Sequence, residues 1–184
     1  MCIRDRLWSL LFTLPLIKPL DRIAVWGRSK AVMNVLGLLM VAFGIYTALY
    51  TGLVLAYERG IPFWHSAAVP LLALFMGLAA GSGLYGLLGK VETGRWIAVG
   101  SGLAALTYIL HLHLSSLGPA AAAFSAQGAM SDPTAIGGVA LAALAAVAAI
   151  FGRRPGVMVA GVLAIVAVFL IRASLLLWGA WDFP

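Results

Sequence analysis

Two long apolar runs joined by a short polar turn place the strongest constraint on how this chain can fold. Tyr50–Gly89 contains the end of one run, a turn with Glu58, Arg59 and the aromatic sequence Pro62-Phe63-Trp64, and a second run. A stretch of about 20 apolar residues is long enough to cross the hydrocarbon core of a bilayer as an α-helix. We therefore predict a helical hairpin that crosses a membrane twice.

The composition extends this interpretation to the whole chain. Of the 184 residues, 63% are hydrophobic and 10% are charged, whereas soluble domains carry about 25% charged residues. The fold class is therefore predicted to be an all-α, polytopic transmembrane helical bundle. The twelve Lys and Arg residues lie almost entirely in predicted loops, so the basic balance does not indicate nucleic acid as a partner. Cys2 is the only cysteine, which excludes an intramolecular disulfide and a Cys-x-x-Cys-His haem attachment.

Window hydropathy predicts five spans within one transmembrane domain that covers residues 1–184. They comprise residues 32–56, 67–89, 97–117, 134–151 and 156–178. An earlier apolar stretch, residues 7–17, is too short to cross a bilayer. We interpret it as the remnant of a preceding helix, so that the chain is expected to be an N-terminally truncated fragment; a signal peptide is the alternative. The alanine-rich loop at 119–133 can hold a short surface helix.

Loop charges predict the orientation of the spans. If residues 18–30 are cytoplasmic, the cytoplasmic loops hold eight basic residues and the opposite loops hold only Arg59. The eight are Lys18, Arg22, Arg28, Lys30, Lys90, Arg95, Arg153 and Arg154. This asymmetry follows the positive-inside rule. Trp64, Trp178 and Trp181 then fall at the outer boundary, as interfacial aromatic residues do.

Polar and aromatic side chains in the predicted spans gather in the outer half of the membrane. The candidates for a ligand site are Tyr46, Tyr50, His111, His113 and Arg172. Ionisable groups within a membrane are costly and usually face a cavity, a partner or a pathway. Only the third span carries histidine at depth, so a haem with two histidine ligands is not expected. No metal-binding spacing and no buried carboxylate is present to indicate a metal site or a carboxylate proton relay.

Each candidate also has a purely structural interpretation. Arg172 lies about two turns from the outer end of its helix, so its side chain can extend to the headgroups instead of acting in a buried site. His111 and His113 differ by about 200° around a helix and cannot face the same site. Either histidine can make a structural hydrogen bond rather than bind a ligand. Tyr50 and Trp64 can be interfacial anchors.

Several motifs in the hairpin and in the last span resemble the NrfD/PsrC family, the membrane subunits of polysulfide, nitrite and related respiratory reductases. They are Tyr50-Thr51-Gly52, Pro62-Phe63-Trp64, Pro70-Leu71-Leu72, Gly77-Leu78-x-x-Gly81 and Leu170-Ile171-Arg172 followed by Gly179. The resemblance covers residues 20–179. It implies that the chain is the C-terminal part of an eight-helix bundle in which the first three helices are missing.

The resemblance further implies a haem-free, metal-free subunit that binds menaquinone or ubiquinone near the outer face. Such a subunit exchanges electrons with a four-cluster iron–sulfur subunit, often beside a molybdopterin catalytic subunit, in a bacterial or archaeal inner membrane. By similarity Tyr50 is the first choice as quinone ligand, with Tyr46 behind it. The predicted surface for the iron–sulfur partner comprises Glu58, Arg59, Phe63, Trp64 and His65.

The sequence leaves two rival functions open. A transporter or ion-conducting subunit would use Arg172 and the histidines to line a path, but the sequence shows no inverted repeat or broken helix to support it. A structural assembly subunit would have no ligand site at all.

Overall fold

A computed structural model describes residues 29–58, 60–88 and 91–180. Within these ranges the chain is built from helices and turns, with no strand, which confirms the all-α prediction. The helices are α1 (Lys30–Ala56), α2 (Ala68–Gly86), α3 (Gly94–Ser116), α4 (Ala120–Ser131), α5 (Pro133–Phe151) and α6 (Arg154–Ala180), with one 3-10 turn at Val91–Thr93. The predicted helix remnant at 7–17, Arg59 and Lys90 lie outside the described residues.

Five of these helices are long and apolar enough to cross a membrane: α1, α2, α3, α5 and α6. The chain is therefore a multi-pass membrane protein, and the predicted number of spans is confirmed for the described part of the chain. The predicted ends differ from the observed ones by up to three residues; α2, for example, begins at Ala68 and ends at Gly86 instead of Gly89. The short helix predicted for the loop at 119–133 is also present, as α4.

The contacts divide the chain into two units, residues 1–47 and 48–184, so that the division falls inside α1. In the first unit the described residues are helical and most apolar side chains are exposed; Val35 is 58% exposed and Leu38 is 71% exposed. Exposed apolar side chains are what a helix needs where it faces lipid. The prediction of a single domain stays a prediction.

The second unit has a core formed by α2, α3, α5 and α6. Helix α2 packs against α3 and α6, α5 packs against the same two helices, and α3 also contacts α6. The four helices therefore form a ring in which α2 and α5 lie on opposite sides. Fully buried side chains of this core include Leu72, Ile97, Tyr108 and Ile171.

Glycines set the closest approaches between helices in this core. A Cβ atom on Gly100 of α3 would lie 2.7 Å from the backbone nitrogen of Ala79 in α2. Likewise, a Cβ atom on Gly83 of α2 would lie 2.9 Å from the backbone oxygen of Gly161 in α6. In lipid, helices associate through such tight packing because there is no hydrophobic driving force between them.

Small residues recur at four-residue spacing in α1, at Gly44, Ala48 and Gly52, and in α2, at Gly77 and Gly81. Such a pattern predicts faces on which helices pack closely. Gly52 lies against the backbone of Val69 and Pro70 in α2. A Cβ atom on Gly77 would lie 3.6 Å from the Cβ atom of Ala48. By contrast, a Cβ atom on Gly44 or on Gly81 would meet no described atom within 4 Å outside its own helix backbone. The four-residue spacing therefore includes positions that contact a neighbouring helix, Gly52 and Gly77, and one that meets no described atom within 4 Å, Gly81.

Candidate functional site at the outer end of the bundle

One end of the bundle collects the polar and aromatic side chains that the sequence singles out. Helices α1, α3 and α6 end here and α2 begins here. Helix α4, which lies between α3 and α5 in the chain, is also at this end. We call it the outer end, after the orientation that the loop charges predict. The connection between α1 and α2 folds over it and supplies the first of its contacts.

Trp64, in that connection, is fixed by the last helix. Its indole nitrogen donates a hydrogen bond of 2.9 Å to the backbone oxygen of Leu175, and its ring packs against Gly179, where a Cβ atom would overlap it. Only 9% of the Trp64 surface is exposed. The interpretation of Trp64 as an interfacial anchor is therefore wrong: the indole N–H has a partner within the chain, so the side chain packs inside the bundle.

The other predicted partner-interface residues divide into buried and exposed ones. Phe63 is buried, with 1% of its surface exposed, whereas Glu58 and His65 are exposed. The side chains of Phe63 and Trp64 thus contribute to the core of this chain, and only Glu58 and His65 offer side-chain surface to another subunit. Arg59 lies outside the described residues.

His111 is the most unusual buried residue at this end. Its side chain is fully buried, and its ring centroid lies 4.8 Å from that of Phe63 with the two rings tilted by 57°. Neither ring nitrogen has a hydrogen-bond partner among the residues that the structure describes. Buried polar atoms are normally paired, so His111 is an exception among the described residues. His113 is exposed, which confirms that the two histidines face in different directions.

A buried hydrogen bond joins α3 to α6 one helical turn from His111. The Tyr108 hydroxyl donates to the Ser174 hydroxyl over 2.8 Å, and both side chains are completely buried. The sequence places Tyr108 in the outer half of its span but gives no reason to single out Ser174. A small hydroxyl residue within an apolar run is common in membrane helices, so the partner of Tyr108 emerges only from the packing.

A cleft of about 180 Å³ lies between the second half of α1, α2 and α6. Among the described lining residues, Arg172 supplies the only charged side chain and Thr51 a hydroxyl. The others are apolar or glycine: Ala48, Leu55, Val69, Ala73, Met76, Gly77, Ala80, Val168, Leu175 and Leu176. Tyr50 does not line the cleft and is 43% exposed, and Tyr46, also exposed, belongs to the first unit. The structure therefore brings Arg172 together with Thr51 in the lining of this cleft.

Arg172 lies at membrane depth. It precedes Ala180, the last residue of α6, by eight residues, which corresponds to about 12 Å along a helix. Within residues 29–180, apart from the gaps, no carboxylate pairs with it. A guanidinium in such a position requires hydrogen-bond acceptors from water, headgroups or a bound molecule. The Arg172 side chain is exposed, so the cleft is a site where an acceptor oxygen of a ligand can meet a cation beside apolar walls.

An apolar groove on another side of the unit contains His113. It lies between α3, α4 and α5 and has a volume of about 560 Å³. Its lining includes Tyr108, Leu112, Met130 and Ile136. His113 and Arg172 therefore line separate concave surfaces.

Asp132 and Trp178 connect the loop before α5 to the end of α6. One carboxylate oxygen of Asp132 accepts a hydrogen bond of 2.8 Å from the backbone N–H of Thr134, capping α5. The other accepts a hydrogen bond of 2.7 Å from the indole N–H of Trp178. Burial alone would raise the pKa of the Asp132 carboxyl, but these hydrogen bonds hold the pKa below its ordinary value. The side chain is therefore an ionised carboxylate in a fixed orientation.

Comparison of the chain with protein-family models, with curated proteins and with solved structures finds no match. The resemblance to the NrfD/PsrC family therefore remains a prediction that depends on the motifs quoted above.

Proposed function

We propose that this protein is a quinone-interacting membrane subunit of a respiratory oxidoreductase complex. The observation that carries the proposal is the cleft between α1, α2 and α6, in which Arg172 and Thr51 are set among apolar side chains. A quinone headgroup is a planar apolar ring with two carbonyl acceptors. The Arg172 guanidinium is a donor suited to one of these carbonyls.

The apolar part of the cleft lining fits the rest of such a ligand. Met76 and Leu55 offer flexible and branched apolar contacts, while Ala48, Ala73 and Gly77 leave room for a flat ring. Pockets for small molecules are typically lined in this way, by apolar side chains with a few polar groups that fix the orientation. Tyr50 is next to Thr51 in α1 but does not line the cleft. We therefore place Tyr50 at the entrance of the cleft in this proposal.

The proposed complex has further subunits that carry the redox centres. Electrons pass between the quinone and a four-cluster iron–sulfur subunit, with a molybdopterin catalytic subunit beyond it, in a bacterial or archaeal inner membrane. Glu58 and His65, both exposed in the connection between α1 and α2, are proposed to contact the iron–sulfur subunit. His111 lies beneath this connection, against Phe63.

Quinone binding to the purified chain in lipid nanodiscs tests the proposal directly. Arg172→Met removes every donor of the side chain, and we expect binding of a menaquinone or ubiquinone analogue to weaken about tenfold, as for loss of one hydrogen bond to a charged group. Arg154→Met changes an exposed arginine at the other end of the same helix and should leave binding unchanged. Equal affinity of the Arg172→Met variant and the wild type would exclude the cleft as the site.

A second experiment examines the tyrosines in the assembled complex. If Tyr50 takes part at the entrance of the cleft, Tyr50→Phe lowers quinone turnover while assembly with the iron–sulfur subunit stays intact, and Tyr46→Phe has the smaller effect. Unchanged turnover in Tyr50→Phe would remove that residue from the site. Failure of the wild-type chain to bind any quinone would favour the structural assembly role instead.

A further inference from the structure

We propose that a pocket at the outer end of the bundle, separate from the Arg172 cleft, binds the ammonium group of an organic amine. The pocket has a volume of about 490 Å³. It is lined by Gly128, Ser131, Asp132, Pro133, Leu177 and Trp178. Its chemistry is opposite to that of the cleft, because its charged group is a carboxylate.

The Asp132 carboxylate can accept further hydrogen bonds. Each of its oxygens accepts one bond within the chain, from Thr134 and from Trp178. A carboxylate has about four acceptor positions, so this carboxylate keeps acceptor capacity for a ligand. The two internal bonds fix its orientation, and the side chain is only half-buried. A primary ammonium group carries three N–H donors, of which at least one can bond to this carboxylate.

Helix ends add to the negative potential of the pocket. Helices α4 and α6 both end beside it, at Ser131 and Ala180, and the last carbonyl groups of a helix carry partial negative charge. Helix α5 begins at Pro133 and contributes the opposite sign, but its capping interaction with Asp132 uses one of its free N–H groups. The described residues that line the pocket include no basic side chain, which favours a cation as the occupant.

Trp178 gives the pocket an aromatic wall. Its ring packs closely on Gly128, where a Cβ atom would overlap the ring, and its indole N–H is bonded to Asp132. These contacts hold the indole in one orientation. A cation within about 6 Å of an indole ring is attracted by the ring's π electrons, so Trp178 and Asp132 act on the same group.

The position of the pocket allows two sources for the ammonium group. The apolar spans of α5 and α6 begin at Pro133 and end at Gly179, which places the pocket at the level of the lipid headgroups. A phosphatidylethanolamine headgroup and a soluble amine share the chemistry described here. The experiment below distinguishes them.

The test compares lipid binding to the full chain in detergent by native mass spectrometry. The probes are phosphatidylethanolamine and phosphatidylglycerol of equal chain length, with free ethanolamine as a competitor. We expect phosphatidylethanolamine to bind in preference to phosphatidylglycerol, and Asp132→Asn to weaken that binding about tenfold. Asparagine caps helices as well as aspartate does, so this variant removes the charge and keeps the cap. Glu58→Gln, which changes an exposed acid outside the pocket, is the matched control.

Each outcome decides a part of the proposal. Displacement of the lipid by millimolar ethanolamine identifies a soluble amine as the ligand, and its persistence identifies the lipid. Equal binding of the two lipids by the wild type, or unchanged binding by a folded Asp132→Asn variant, would overturn the proposal. If that variant does not fold, Trp178→Phe is compared with the wild type instead. An unchanged preference for phosphatidylethanolamine in Trp178→Phe would then overturn the proposal.

Discussion

Trp64 connects the outer turn to the last helix through one hydrogen bond and one close ring contact. Trp64→Phe keeps most of the ring but removes the N–H that donates to the Leu175 backbone oxygen. We expect the free energy of unfolding to fall by about 1 kcal/mol, measured in mixed detergent and SDS micelles. Trp96→Phe is the control, since Trp96 is 59% exposed. Equal stability of the two variants would show that the buried hydrogen bond contributes nothing.

Asp132 predicts an acid-dependent loss of stability. The pKa of its carboxyl is lower in the folded chain than its ordinary value, because the bonds from Thr134 and Trp178 outweigh the effect of burial. This stabilisation is complete above the ordinary pKa of about 3.9. It is lost as the pH falls through the lower, folded-state pKa.

The matching variant isolates this contribution. Asp132→Asn keeps an acceptor oxygen for the capping bond from Thr134, loses the acceptor for Trp178 and cannot titrate, so its unfolding temperature should depend less on pH below about pH 4 than that of the wild type. Differential scanning fluorimetry from pH 7 to pH 3 measures the difference. Parallel curves for the two proteins would show that Asp132 is not the group responsible.

At the scale of single residues, the sequence predicts depth better than contacts. It places Tyr108, His111 and Arg172 in the outer halves of their helices, which follows from hydropathy and alternation of spans. It does not predict that Arg172 meets Thr51, or that Tyr108 bonds to Ser174. Those pairs depend on the rotation of each helix about its axis, and a run that is apolar on all sides carries little rotational information.

At the scale of helices, tight packing depends on individual glycines. A Cβ atom on Gly100 would lie 2.7 Å from the backbone of Ala79, whereas a Cβ on Gly102 would meet no described atom within 4 Å. Gly100→Ala must therefore separate α2 from α3, and we expect a loss of about 1–3 kcal/mol. Gly102→Ala, two residues along the same helix, should change stability by no more than about 0.5 kcal/mol. Unfolding in SDS titrations compares the two.

The same glycines show what limits prediction of helix packing. A four-residue spacing of small residues marks Gly52 and Gly77, which do contact a neighbouring helix. It also marks Gly81, at which a Cβ atom would meet no described atom within 4 Å. Small residues are frequent in membrane helices for several reasons, so spacing alone does not distinguish a contact face from a lipid-facing one. A result in which Gly100→Ala is as stable as Gly102→Ala would contradict the α2–α3 packing itself.

At the scale of the whole molecule, alternation of five spans fixes which loops share a side of the membrane. His65, between α1 and α2, and Glu92, between α2 and α3, are both exposed and lie at opposite ends of α2. The excess of basic residues in the loops predicted to be cytoplasmic places His65 outside and Glu92 inside. Cysteine labelling tests this in a chain in which Cys2, the only native cysteine, is replaced by serine.

In that background, His65→Cys should react with a membrane-impermeant maleimide in intact cells, and Glu92→Cys should react only after the membrane is permeabilised. Both positions are exposed loops of similar polarity, so membrane sidedness is the main difference between them. Labelling of both variants in intact cells would contradict the assignment of α2 as a span. The reversed pattern would keep the five spans and invert their orientation, which would place the Arg172 cleft and the Asp132 pocket in the cytoplasmic leaflet.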